Sequence, residues 1–147
     1  MNSKPTIDPC TRGRYLTYLD LFIRRDTGDD LKDFSLHEIW KDKLWNQDFQ
    51  SLRDFTTFLH MGRSQFFKRV HRAQLRLQML AAGISSKAPR GRQVELLIKL
   101  PPDHRVDAWL VVVDEIQKHG NSHALVQRTL EEYAGRLSPR PPRKHIG

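Results

Sequence analysis

Apolar residues recur along most of this chain at intervals of three and four, the spacing that lines up one face of an α-helix. Tyr15, Leu16, Leu19, Phe22 and Ile23 form the first such stripe and predict a helix from Arg14 to Arg25. The segment Asp26-Thr-Gly-Asp-Asp30 breaks it. Ser35 stands at capping-box distance from Glu38 and is expected to open a second helix carrying Leu36, Ile39, Trp40 and Leu44. Ser51 and Asp54 repeat an N-terminal signal ahead of a short third helix, Leu52 to His60, whose apolar positions are Leu52, Phe55, Phe58 and Leu59. Gly62 interrupts the pattern. Ser64 then caps a fourth helix from Gln65 to about Ala82, with Phe66, Val70, Ala73 and Leu77 as its buried stripe.

Gly83 suits the end of that helix, and Ser85 to Gly91 reads as a basic loop. A fifth helix from about Arg92 to Leu100 carries Val94, Leu97 and Ile98. Pro101-Pro102 ends it and starts a sixth, with Val106, Trp109, Leu110, Val113 and Ile116 on one face. The run Leu110–Val113 also fits a buried strand, but helical spacing on both sides and Asp103 in the first turn favour helix. Gly120 stops it, Asn121 or Ser122 caps a seventh, and Leu125, Thr129, Leu130 and Tyr133 give its face. The expected fold is all-α, about seven helices, with a helix-turn-helix core and additional packing helices. Residues 1–13, with Pro5, Pro9 and Gly13, read as a flexible arm and residues 14–50 as an N-terminal helical pair. Residues 51–137 hold the helix-turn-helix and the three helices after it, and the proline-rich, basic SPRPPRKHIG of 138–147 reads as a disordered tail.

Composition narrows the class. At 147 residues and 38% apolar the chain fits one domain with a small core. No apolar run approaches the roughly 18 residues of a membrane span, and Met1 to Arg14 lacks the apolar stretch of a secretory signal. A single Cys10 excludes a disulfide framework and a cysteine-built zinc site, which points to a reducing, cytoplasmic interior. The formal charge is +8, and its location says more than its size. Between Phe55 and Val94 there is no Asp or Glu, whereas Arg63, Lys68, Arg69, Arg72 and Arg76 lie there, followed by Lys87, Arg90 and Arg92. The chain before Phe55 holds nine basic and ten acidic residues, and the chain after Val94 eight and seven, so the flanks cancel. A cationic field confined to one window points to a polyanionic partner, above all nucleic acid.

A short helix, a turn near Gly62 and a cationic helix make a helix-turn-helix. An α-helix fits the major groove of B-form DNA, and residues at its N-terminus reach base edges while the preceding helix braces it. Arg63, Ser64 and Gln65 lie at that end. Arg pairs with guanine, Gln with adenine, and Ser bonds a base or a phosphate. Lys68, Arg69 and Arg72 are expected to continue down the groove or clamp its walls. Arg76, Lys87, Arg90 and Arg92 read as phosphate contacts that set register.

The stretch LRDFTTFLHMGRSQFFKRVHRAQL, residues 52–75, resembles the helix-turn-helix of the ParB/KorB partition-protein class and of related small proteins of plasmids, phages and integrative elements. The downstream PRGRQVELLIKLPPDHRVDAW, residues 89–109, is similar to the helical segment that packs behind the reading head in that class. The resemblance covers about Ser51 to Ala134 and implies a unit that binds double-stranded DNA, mapped onto Arg63, Ser64, Gln65, Lys68 and Arg69. His60 stands where that turn commonly has glycine, and Gly62 where a polar residue is usual. The nucleotide-binding and dimerisation domains of true partition proteins are not evident, so nucleotide-driven clamping is not implied.

Other chemistries find less to work with. His119 and His123 are four apart, but Gly120-Asn121 lies between them and no Cys or carboxylate stands nearby at zinc spacing. A small nuclease would have only His60 and His71 as a base inside the basic window. Gly62, Gly83 and Gly91 are isolated and make no phosphate-cradling loop. No enzyme activity, metal or cofactor is therefore expected. Trp40, Trp45 and Trp109 are expected in the core or at subunit contacts rather than stacking on bases, with Trp45 the one that marks a partner surface. The resulting expectation is a regulator or maintenance factor of a mobile element, a possible homodimer on paired half-sites with no membrane partner. An RNA-binding protein, or an adaptor or inhibitor that meets an acidic protein, is the alternative.

Overall fold

The computed structural model describes residues 8–84 and 87–137. Among them the chain forms seven α-helices and no strand: α1 Pro9–Ile23, α2 Asp29–Lys41, α3 Leu52–Phe58, α4 Arg63–Ala81, α5 Arg92–Leu97, α6 Arg105–His119 and α7 His123–Leu137. Two 3-10 turns, Leu44–Gln47 and Pro102–His104, complete it. The all-α fold agrees with the periodicity, and Leu110–Val113 lies inside a helix. The predicted tail at 138–147 lies outside the described residues, as do Ser85 and Ser86 of the basic loop.

Several helix ends follow the expected signals. Ser51 accepts the Asp54 N–H at 3.1 Å and caps α3. Of the two candidates ahead of α7, Ser122 is the cap, taking the Leu125 N–H at 3.2 Å. Others differ for identifiable reasons. The first helix starts at Pro9 rather than Arg14, because proline already has helical φ and lacks only an N–H that the first turn leaves unpaired. Residues 9–13 of the predicted arm are thus helical. The second begins at Asp29, well before Ser35; Asp29 and Asp30 in its first turn complement the helix dipole. Ser35 sits inside it and donates back to the Leu31 carbonyl at 2.8 Å. Ser64 does not cap α4: the Gly62 carbonyl takes the Phe66 N–H at 3.0 Å, which puts Gly62 at the cap and Ser64 in the first turn.

Residues 1–74 and 75–147 form two compact units, with α4 contributing to both. In the first unit α1 and α2 make an antiparallel hairpin, and Arg14 near the start of α1 reaches Asp42 just past the end of α2 at 2.8 Å. That ion pair holds the Asp42 carboxyl below its ordinary value. Tyr15, Leu36, Ile39, Leu44, Phe55, Phe66 and Val70 fill the core. Phe55 is its hub, with ring centroids 6.4 Å from Tyr15, 5.5 Å from Phe49 and 6.2 Å from Phe66. Trp40 packs edge-on against Phe67, and Trp45 is half-buried against the same core rather than standing free.

The second unit closes around Leu97, Trp109, Val112 and Val126, joined by Leu75 and Met79 from the last turns of α4. Leu77, expected on the buried stripe, is instead 37% exposed. Arg105 is the largest fully buried side chain. Its Nε donates to the Leu100 carbonyl at 3.1 Å and its Nη2 to the Ile98 carbonyl at 3.0 Å. The guanidinium thus satisfies carbonyls that the end of α5 leaves open, although burial lowers its pKa.

The Tyr15 hydroxyl is buried with no hydrogen-bond partner among the described residues. Burial, and then the nearby Asp48 charge, push its pKa above the ordinary 10.0. The folded state therefore keeps the proton that the unfolded chain releases near pH 10, so stability declines as pH rises above that value. Tyr15→Phe should equal or exceed the parent in stability at neutral pH, since an unpaired buried hydroxyl costs about 1–3 kcal/mol. It should also lose the part of the alkaline decline due to this group, as read from urea unfolding at pH 8 to 11.

Candidate nucleic-acid interface

A four-residue turn, Leu59 to Gly62, joins α3 to α4. Its geometry is a helix stop in which the Met61 N–H bonds the Thr56 carbonyl and the His60 N–H bonds the Thr57 carbonyl, both at 3.0 Å. The residue after the cap must then be left-handed, and His60 takes φ +57°. The same pair of bonds ends α4, from Ile84 to Met79 and Gly83 to Leu80, with Gly83 at φ +75°. Histidine thus holds at the first stop the conformation that glycine holds at the second.

The turn delivers Arg63, Ser64 and Gln65 to the first turn of α4, all exposed. Phe66, Val70 and Ala73 point into the core. Ser64 and Lys68, one turn apart, therefore lie on the side opposite Phe66, and Lys68 is exposed.

Arg69 and Arg72 are placed differently from the expected groove contacts. Both converge on Asp33 of α2, whose side chain is 1% exposed. Arg69 reaches it at 2.9 Å, and Arg72 grips it with two bonds of 3.1 Å, a fork on a carboxylate. Arg69 also lies 3.9 Å from Asp29 and 5.8 Å from the Phe22 ring centre. These two cations hold α4 to α2. Asp33 carried a signal in the sequence, because it shares a helical face with Leu36 and Trp40, an unusual place for a carboxylate. Its partners are 36 and 39 residues away, and no local pattern connects them.

The remaining cations belong to the second unit. Arg76 is half-buried. Lys87 and Arg90 on the loop before α5, and Arg92 at its first position, are exposed and make no ion pair among the described residues. The Trp109 indole donates to the Lys87 carbonyl at 2.7 Å and anchors this loop to α6. Trp109 is therefore neither a stacking platform nor a subunit contact; it is 2% exposed. Gly91 between the two arginines has φ +57° and ψ −124°, a backbone state that L side chains rarely adopt. A groove of about 660 Å³ runs beside the loop. Among the described residues no three His, Cys, Asp or Glu side chains group as metal ligands, and no helix is long and apolar enough to cross a membrane.

Comparison with family models, curated proteins and solved structures yields no match.

Asp33→Ala should lower the unfolding free energy by about 3 kcal/mol, because it leaves two arginines without the carboxylate they were folded around. Urea unfolding checks this. His60→Val should cost about 1–2 kcal/mol, whereas His60→Gly should be neutral or stabilising, since any Cβ is strained in the left-handed region, a β-branched one most, and glycine is not. Equal midpoints for the two variants would contradict the left-handed turn.

Proposed function

We propose that this is a small all-α DNA-binding protein of the ParB/KorB helix-turn-helix type that acts by occupying double-stranded DNA. The observation that carries the reading is the exposed start of α4. A tight turn presents Arg63, Ser64 and Gln65 together at the end of a helix whose buried face is fixed, within a forty-residue window that has no carboxylate. Arg63 makes no ion pair among the described residues. In this reading Arg63 and Gln65 address base edges, Ser64 addresses a base or phosphate, and Lys68 continues along the same face. Arg69 and Arg72 position the helix through Asp33 instead of touching DNA. A regulatory or maintenance role on a mobile element in the cytoplasm, with two copies on paired half-sites, follows from the resemblance and from the weak specificity of a single reading head.

Binding to a labelled duplex library tests this. Gln65→Ala should relax base preference at one position at a cost of about 1–3 kcal/mol, and Arg63→Ala should weaken binding by a similar amount. Arg72→Ala should appear mainly as lost stability, with specificity retained in the folded fraction. Tighter binding to matched A-form RNA than to the duplex would overturn the groove-reading account.

A further inference from the structure

We infer that the groove of the second unit binds an unpaired polynucleotide strand, with phosphates on Lys87, Arg90 and Arg92 and bases laid against Val113 and Ile116. The groove is built for a ligand with an anionic edge and a flat face. The loop and the start of α5 bring three exposed cations to it, and among the described residues no Asp or Glu lines it. Its floor is the α6 stripe Val113 and Ile116, half-buried beside Trp109. The amides of Gln93, Gln117 and Asn121 also line it, and Gln93 donates to Asn121 at 3.4 Å. Amides supply both donors and acceptors to base edges. A volume of about 660 Å³ falls within the roughly 300–1,000 Å³ usual for a bound ligand.

Two features favour a strand over other anions. Three cations spread over the six residues from Lys87 to Arg92 match successive phosphates better than one. The apolar floor gains contact only from bases whose faces are open, and a duplex keeps those faces stacked. The groove also meets its ligand without rearranging ion pairs, since its three cations make none among the described residues. The inference rests on the nucleic-acid reading above, but on different side chains from those of α4. Its failure is distinguishable from a failure of duplex reading.

The Trp109 indole N–H, bonded to the loop that forms the cationic wall, is the reporter. The full chain, labelled with nitrogen-15, is titrated with a short oligothymidylate, the corresponding duplex, thymidine monophosphate and inorganic phosphate. The oligothymidylate should move the Trp109 indole signal, with smaller responses from the other three at equal phosphate concentration. The double variant Arg90→Ala with Arg92→Ala should weaken that binding by about tenfold or more. Its Trp40 and Trp45 signals should stay in place, since both arginines are exposed. Arg63→Ala should leave strand binding unchanged while weakening duplex binding, which separates the two sites. A still Trp109 signal would overturn the inference. So would an equal response to duplex, mononucleotide or phosphate, unchanged affinity in the double variant, or loss of strand binding in Arg63→Ala.

Discussion

A carboxylate removed from water has to be met by charge, and Asp33 is met by both arginines that face it from α4. That requirement organises the first unit. Relative to well-packed apolar side chains, a buried ion pair adds little net stability, but losing one partner is costly. Its effect therefore falls on register. With Arg69 and Arg72 drawn to α2, Phe66 and Val70 turn toward Phe55 and the core, and Ser64 and Lys68 turn outward. The face α4 leaves exposed is set from behind, by a residue thirty positions before the helix begins.

The same pairing redistributes the charge. Along the chain the whole excess lies between Phe55 and Val94, as if α4 were the cationic element. In three dimensions an acid from the neutral flank reaches into the window and compensates two of its arginines. Uncompensated charge then stands at Arg63 on the first unit and at Lys87, Arg90 and Arg92 on the second. A charge count along a sequence treats neighbours in the chain as neighbours in space. Here it locates the cationic region but does not tell structural arginines from displayed ones.

Helix number and type are legible because three-and-four spacing persists through every segment, even across Leu110–Val113, where a strand competes. Caps are legible where one serine stands alone before an apolar run, as at Ser51, and narrowed to two neighbours at Asn121 and Ser122, where Ser122 takes the bond. They mislead where a rival start is available. Ser35 has a capping partner at the right distance, yet the acids at Asp29 and Asp30 and the back-bond to Leu31 place it mid-helix. Leu77 falls on the buried stripe when one period is continued along α4, but the last turns of that helix serve the second unit's core through Leu75 and Met79. Arg105 leaves no signal at all. A buried arginine that bonds backbone carbonyls has no partner residue type to search for, and its neighbours Ile98 and Leu100 are ordinary core residues.

The six residues of α5 are too few to hold a helix by themselves in water. Its closing carbonyls are bonded by a guanidinium that belongs to α6, and the loop ahead of it is tied to α6 through an indole. Polar bonds from α6 therefore reach this segment on both sides. The side chains of α5 itself, Val94 and Leu97, pack into a core shared with α4, α6 and α7. The cationic wall is a property of the assembled second unit and has no counterpart in the free peptide. The spacing of its three cations is set by the fold around it.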